Sequence, residues 1–385
     1  MDSKSYKFDF VPISNELTEF EKSLSNLELI RYIEHPDLFF KETAYLKKVD
    51  GKESYYNLFS KIKSNNFNKG SGYLTHGFDF YRGSFHGQLI RGLINSCNLK
   101  EDSMILDPFC GSGTTLVESS LLGFNSIGID INPIACLNSK IKTHLLDYEF
   151  DHFIQDNERY FNLSFFEELQ INLPHFKVIL DKDIKELFYI FIYLRSLSME
   201  FRLSTDKKKN FRRIYIKLIN VLKLFCELKK DIDINLGKST IFFGDSLVEL
   251  KKIKTNSIDA IITSPPYLDL IDYIQEDLIS INFLFKKSKI DLIRAKSIGN
   301  RFKNDSLTEK LYWTRINLLL KEVVRILKPN HHFILIINNY KNMKNLYERF
   351  ILTNNFSIER ILKREVVNIK KRNNSEFVYF LKTNI

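Results

Sequence analysis

The sequence predicts an α/β fold built on a mostly parallel sheet, and three observations predict it. A short apolar strand, Met104, Ile105 and Leu106, runs into a glycine turn that opens a helix from Thr114 to Leu122. A second strand, Ser126 to Asp130, follows at once, so the segment begins a βαβ unit. The same alternation resumes at Thr240, after a long interval of different character.

Taken in order, residues 1–70 have mixed periodicity and read as an N-terminal extension, and residues 71–146 carry the glycine turn and the first two strands. Residues 147–238 are almost free of glycine and proline, and Ile214, Leu218, Val221, Phe225 and Leu228 recur at helical spacing, which predicts a helical insertion. Residues 239–385 return to α/β. Thr240 to Phe243 and Ser257 to Thr263 read as strands around a short amphipathic helix. A helix from Leu311 to Leu327 stops where Pro329 cannot continue it, and His332 to Ile337 reads as the next strand. Two strand-like runs, Ile358 to Val367 and Glu376 to Leu381, flank the polar Lys370 to Asn374 and predict a closing antiparallel hairpin.

With 385 residues, 44% of them hydrophobic, the chain can bury a large core, which excludes fibrous and disordered classes. The net charge of +10 favours a polyanionic partner without identifying one. Cys97, Cys110, Cys136 and Cys226 form no metal-like spacing, so neither a structural metal nor a disulfide framework is expected. The first ten residues lack an apolar signal core, and the apolar run Leu187 to Leu194 is far short of the roughly 20 residues that span a bilayer. A soluble, cytoplasmic protein is the expectation.

The chemistry concentrates at strand ends. In Asp107-Pro108-Phe109-Cys110-Gly111-Ser112-Gly113-Thr114-Thr115, Gly111 and Gly113 would let the backbone approach a ligand and form its floor. A dinucleotide site also uses such a turn, but the third glycine is missing. Asp107 would repel a pyrophosphate and suits a ligand bearing an ammonium. At the end of the next strand, Asp130 can accept both hydroxyls of a ribose, and Ile131 would cover an adenine face. Asp245, after Phe243-Gly244, could take the adenine amino group. The competing role for each aspartate is a helix N-cap. In Thr263-Ser264-Pro265-Pro266-Tyr267 the prolines stiffen a loop in which the Ser264 side chain and the Pro265 carbonyl could accept the two N–H bonds of an amine, while Tyr267 offers a face for stacking a base. Asp269 to Tyr273 follow directly and are expected to shape the base pocket.

Together these motifs resemble the amino-methyltransferases of DNA, the family that makes N4-methylcytosine and N6-methyladenine. Asp107 to Thr115 is similar to its cofactor motif, Asp130 matches its ribose carboxylate, and Ser264 to Tyr267 matches its catalytic motif. The segment Phe80 to Ile90, with Phe85, resembles the stretch that closes over the cofactor's methionine end. The resemblance covers about residues 80–133 and 240 to the C-terminus. It implies a Rossmann-like methyltransferase fold with a mostly parallel seven-stranded sheet, S-adenosylmethionine as cofactor, and methyl transfer to the exocyclic amine of a base flipped out of double-stranded DNA. Residues 71–146 would then be the cofactor half, 239–385 the catalytic half, and 147–238 a candidate target-recognition region. Ser264 at the first motif position leans toward cytosine N4 over adenine N6, and the family's usual setting suggests a cognate restriction endonuclease as partner.

Carbon-5 methylation is excluded, because its relatives use a Pro-Cys nucleophile and none of the eight prolines here precedes a cysteine. An RNA methyltransferase acting on the exocyclic amine of guanine in transfer RNA is the enzymatic alternative. A catalytically silent nucleic-acid-binding protein is the other. Two basic stretches are candidates for phosphate contact. One is Lys207, Lys208 and Lys209 with Arg212 and Arg213; the other is Lys286 to Lys303, whose seven basic residues include Arg294, Lys296 and Arg301.

Overall fold

The computed structural model describes residues 10–12, 28, 44–46, 48–54, 57–58, 73–78, 85–148, 158–167, 176–231, 235–268, 272–299, 305–338, 343–367 and 373–383. Its centre is a seven-stranded sheet of β1 (Met104–Asp107), β2 (Asn125–Asp130), β3 (Ser239–Phe243), β4 (Ile258–Thr263), β5 (Leu327–Asn338), β6 (Phe356–Val367) and β7 (Asn373–Thr383). The spatial order is β3-β2-β1-β4-β5-β7-β6. The strands from β3 to β5 pair in parallel, and β7 runs antiparallel to both β5 and β6. The closing hairpin is therefore present, with its second strand inserted between β5 and β6.

Period-2 alternation sends successive side chains of each strand to opposite faces, and both faces are covered. Ile105, Ala260, Ile262, Ile334 and Ile336 share one buried cluster with Leu89, Ile90, Leu93 and Ile94 of α1 (Gly87–Ser96). Leu106, Ile261, Phe333, Leu335 and Ile337 share another with Ile316, Leu320 and Val323. Strand β5 begins earlier than its sequence pattern suggests. Its pairing with β4 jumps from Ile258↔Leu327 to Ala260↔His332, so Pro329, which has no N–H to donate, sits in the irregular stretch.

Helices α2 (Thr114–Leu121) and α3 (Pro133–His144) follow β1 and β2. A fully buried carboxylate anchors α2: Glu118 accepts from Tyr73 Oη (2.6 Å), His76 Nε2 (2.7 Å) and Arg91 Nε (2.7 Å). Burial pushes the Glu118 carboxyl up, yet Arg91, His76 and Tyr73 outweigh it and hold it below its usual range.

The helical insertion enters between β2 and β3. Its two long helices, α4 (Ile184–Leu203) and α5 (Lys207–Asp231), pair, and α4 also packs on α3 and on α7 (Leu278–Leu284), which follows the single-turn α6 (Tyr273–Glu276). Being covered on several sides makes α4 apolar all round from Leu187 to Leu194. The insertion shares one core with α3, where Ile134, Leu137 and Ile141 meet Phe188, Ile192 and Leu218. Beyond α7 come α8 (Lys287–Lys296), α9 (Asp305–Ile326) and α10 (Met343–Thr353). Among the described residues no helix is long and apolar enough to cross a membrane.

Candidate active site

Strand order reverses direction between β1 and β4, and open α/β sheets bind ligands outside the carboxyl ends of such a pair. Asp107 ends β1 and Thr263 ends β4. Thr263 Oγ1 donates to Asp107 Oδ1 at 2.7 Å, and Thr115 Oγ1 donates to Oδ2 at 2.8 Å, so the buried carboxylate ties β1, β4 and α2 together. Burial raises its pKa to about 6 against these bonds and that of the Phe109 N–H.

The turn between β1 and α2 needs two left-handed residues, Gly111 (φ 51°) and Gly113 (φ 83°). Asp130 holds it in place: Gly111 N–H donates to Oδ2 at 2.9 Å and Asn132 N–H to Oδ1 at 2.8 Å. Asp130 is half-buried, and burial raises its pKa too to about 6, opposed by the bonds from Asn132 and Gly111.

These groups open on one cleft of about 960 Å³, its open mouth included. Of the residues expected to hold a cofactor, Phe85, Asp107, Phe109, Gly111, Thr114, Thr115, Asp130, Ile131 and Asp245 line it, and Ser264, Pro266 and Tyr267 of the amine motif line the same space.

Several expectations need correction. Gly113 does not form the floor. A Cβ there would lie 2.8 Å from Ser139 Oγ and 2.9 Å from its Cα, so the residue serves the close approach of α3. Pro108 turns its carbonyl to Ser246 Oγ (2.6 Å), and Pro265 is buried; neither is part of the lining. Asp245 lines the cleft but already holds other partners. It caps the short helix Ser246–Glu249 through the Leu247 N–H, and both its oxygens lie 2.8 Å from Arg315 Nη2 of α9. Within the amine motif, Ser264 Oγ donates to Tyr267 Oη at 2.9 Å, and burial pushes the Tyr267 hydroxyl pKa well up.

The cleft also contains residues outside the cofactor and amine motifs. Tyr273 and Ile274 of α6 cover it, and burial, then the Asp130 charge, pushes the Tyr273 hydroxyl up to about 12. Tyr273 fell at the end of a segment expected to shape the pocket, whose Asp269 to Ile271 lie outside the described residues. Asn132 caps α3 by accepting from Ile134 N–H and donates to Asp277 Oδ2 at 2.8 Å, clasping the Asp130 loop to the start of α7. Within the cofactor motif, Ser112 lines the cleft with a buried hydroxyl that has no partner among the described residues. Its place between two turn glycines was the available signal.

Of the basic candidates, Lys296 stands exposed beside the cleft and Arg294 donates to Gln275 Oε1 at 2.6 Å. Lys207 lies 5.3 Å from the Tyr193 ring centre and 3.8 Å from Glu167, while Lys208 and Arg212 are exposed on the first turns of α5. Arg301 lies outside the described residues.

Residues 6–140 match the family model of the N6/N4 DNA methylases. The chain is 25% identical to the type II methyltransferase M.BsoBI of Geobacillus stearothermophilus over 70% of its own length, and 25% identical to M.MjaII of Methanocaldococcus jannaschii over 79%. Over residues 6–140, and at lower identity along most of its length, the chain is similar to the amino-methyltransferases of DNA. It spans 64% of the Geobacillus enzyme's length and 78% of the Methanocaldococcus enzyme's. A tRNA (guanine(10)-N2)-dimethyltransferase of Methanothermobacter thermautotrophicus is 43% identical over 53 residues, 14% of this chain and 16% of that one. Among solved structures, an S-adenosylmethionine-dependent methyltransferase from Methanosarcina mazei aligns over 74% of this chain and 94% of its own, at 12% identity and a TM-score of 0.32.

S-adenosylmethionine is the cofactor, and the residues present fit it. The unpartnered buried Ser112 hydroxyl asks for a polar ligand atom. Asp130 faces the cleft with a carboxylate that backbone N–H groups hold in place, which suits vicinal hydroxyls.

Proposed function

We propose that this protein methylates the exocyclic amine of a base in double-stranded DNA, with cytosine N4 favoured over adenine N6, in a restriction-modification setting. The observation that carries this reading is the shared cleft, in which Asp107, Gly111 and Asp130 stand opposite Ser264, Pro266 and Tyr267. The names of the two type II relatives support DNA as substrate, and Ser264 at the first motif position supports cytosine.

In this reading Asp130 accepts the ribose hydroxyls, Asp107 faces the methionine ammonium, and Ile131 packs on the adenine. Asp245, paired with Arg315, serves the adenine side as a fixed charge pair. S-adenosylmethionine supplies the electrophilic sulfonium methyl. The target base has to leave the helix, at a cost of a few kcal/mol, for its amine to reach the cleft. Its nitrogen is a weak nucleophile, because its lone pair is delocalised into the ring. Ser264 Oγ spends its own proton on Tyr267 Oη, which leaves its lone pairs free to accept an amine N–H and draw the nitrogen toward tetrahedral geometry. Pro265 and Pro266 stiffen the loop that holds it. One N–C bond forms as the S–CH3 bond breaks, its electron pair staying on sulfur to leave a neutral thioether, and the proton that nitrogen then sheds passes by way of Ser264 to solvent.

The local likeness to tRNA guanine-N2 methyltransferases favours a second reading, in which the amine belongs to guanine in transfer RNA. Modified-base sequencing of genomic DNA from cells producing the chain separates the two. N4-methylcytosine or N6-methyladenine at one recurring sequence is the expected result, and new methylation confined to RNA overturns the DNA reading.

A further inference from the structure

The joint between α4 and α5 exposes apolar side chains where a soluble surface would normally hide them. Phe201 is 75% exposed and Leu203 61% exposed, both in the last turn of α4. Ser204, left-handed at φ 52°, ends the helix, and α5 starts three residues later. Around these two residues the chain is strongly basic. From Phe201 to Arg213 stand Arg202, Lys207, Lys208, Lys209, Arg212 and Arg213 against the single acidic Asp206.

The tip is not free to wander. The Arg202 guanidinium donates to the Glu276 carbonyl at the end of α6, and Ser198 Oγ meets Ser280 Oγ of α7 at 2.9 Å. Helix α6 carries Tyr273 and Ile274, which line the cleft. An apolar, cation-flanked point is thus fixed beside the place where the target base would enter.

We infer that this tip is a wedge that enters the DNA duplex where the target base leaves it. The inference rests on the DNA reading above and adds the element that opens the helix. Extruding a base leaves an apolar gap between stacked neighbours, and proteins that open or kink DNA fill such gaps with aromatic or aliphatic side chains. Phe201 and Leu203 have that chemistry, and the surrounding cations match the phosphates on either side. A second copy of this chain fits the patch poorly, since it would bring two like-charged tips together.

The test is Phe201→Ala/Leu203→Ala in the full chain, with Phe201→Trp as the variant that keeps a stacking face. Both residues are exposed, so the thermal midpoint and the affinity for S-adenosylmethionine should match the wild type. Single-turnover transfer of labelled methyl is measured on an unmethylated random-sequence duplex library and on the same library as single strands. The double variant is expected to lose on the order of tenfold or more in rate on duplex, the scale set by a few kcal/mol of unpairing, and to keep its rate on single strands. Phe201→Trp should keep both rates. Equal duplex rates in wild type and double variant overturn the wedge while leaving DNA methylation standing. So does an equal loss on both substrates, or a wild-type dimer that the double variant dissolves. A wild type that labels neither DNA library overturns the DNA reading itself.

Discussion

At the scale of single residues, the cleft depends on two carboxylates, one buried and one half-buried, that are needed as charges. Asp107 and Asp130 both have their pKa raised from 3.8 to about 6 by burial. Between those values the folded protein binds more protons at these sites than the unfolded chain, so their contribution to the stability of the free protein falls as pH rises through that window. The cofactor needs the opposite state, since an ammonium and a pair of hydroxyls are held by ionised carboxylates. Affinity for S-adenosylmethionine should therefore weaken as pH drops from 7 through about 6, with proton release on binding near pH 6. Calorimetry in buffers of different ionisation enthalpy checks this, and affinity that is flat with no proton release would contradict it. The hydroxyl pair makes a second prediction. Ser264→Ala should lower the transfer rate far more than cofactor affinity. Tyr267→Phe keeps the stacking face but takes away the acceptor that orients the Ser264 proton, so it should also slow transfer, though less than Ser264→Ala. Single-turnover rates measured beside cofactor binding decide both. The placement of Asp107 and Asp130 at strand ends, and of Ser264 just past one, was legible in the sequence, because each stands in a short motif that closes an apolar run. The pairing of Ser264 with Tyr267 was not, since it depends on how the loop closes.

At the scale of elements, the glycine turn works by bringing α2 and α3 together as much as by making room for a ligand. Gly113→Ala would place a methyl against Ser139 at a φ that L-residues rarely adopt. A loss of about 1–3 kcal/mol in stability is expected, measurable by denaturant unfolding, with weaker cofactor binding as a consequence. A variant as stable as the wild type would contradict the packing role. The strands were readable because apolar runs bounded by turns leave little choice, and α5 because Leu218, Phe225 and Leu228 keep one buried stripe. What stayed hidden comes from distant segments. Arg315 meets Asp245 across 70 residues, and Asn132 meets Asp277 across 145, so no local pattern announces either contact. Pro329 marked the helix end well but concealed a strand that begins at Leu327, because the irregular pairing there tolerates its missing donor.

At the scale of the whole molecule, the order β3-β2-β1-β4-β5-β7-β6 puts the reversal of strand order between β1 and β4, and both motifs sit at its carboxyl edge. The insertion between β2 and β3 leaves that order intact and shares the core of α3, so it extends the body of the protein, and Arg202 near its exposed tip bonds to the end of α6. A net charge of +10 agrees with a polyanionic substrate. In the proposed function this one cleft moves a methyl group onto the exocyclic amine of a DNA base. This transfer is tested most directly by incubating the purified chain with methyl-labelled S-adenosylmethionine and unmethylated genomic DNA, digesting the DNA to nucleosides, and identifying the labelled one. Label in N4-methylcytosine is the predicted result, and label in N6-methyladenine would keep the claim while moving the base preference. Label in 5-methylcytosine, or none in DNA while transfer RNA is labelled in a parallel incubation, would contradict it.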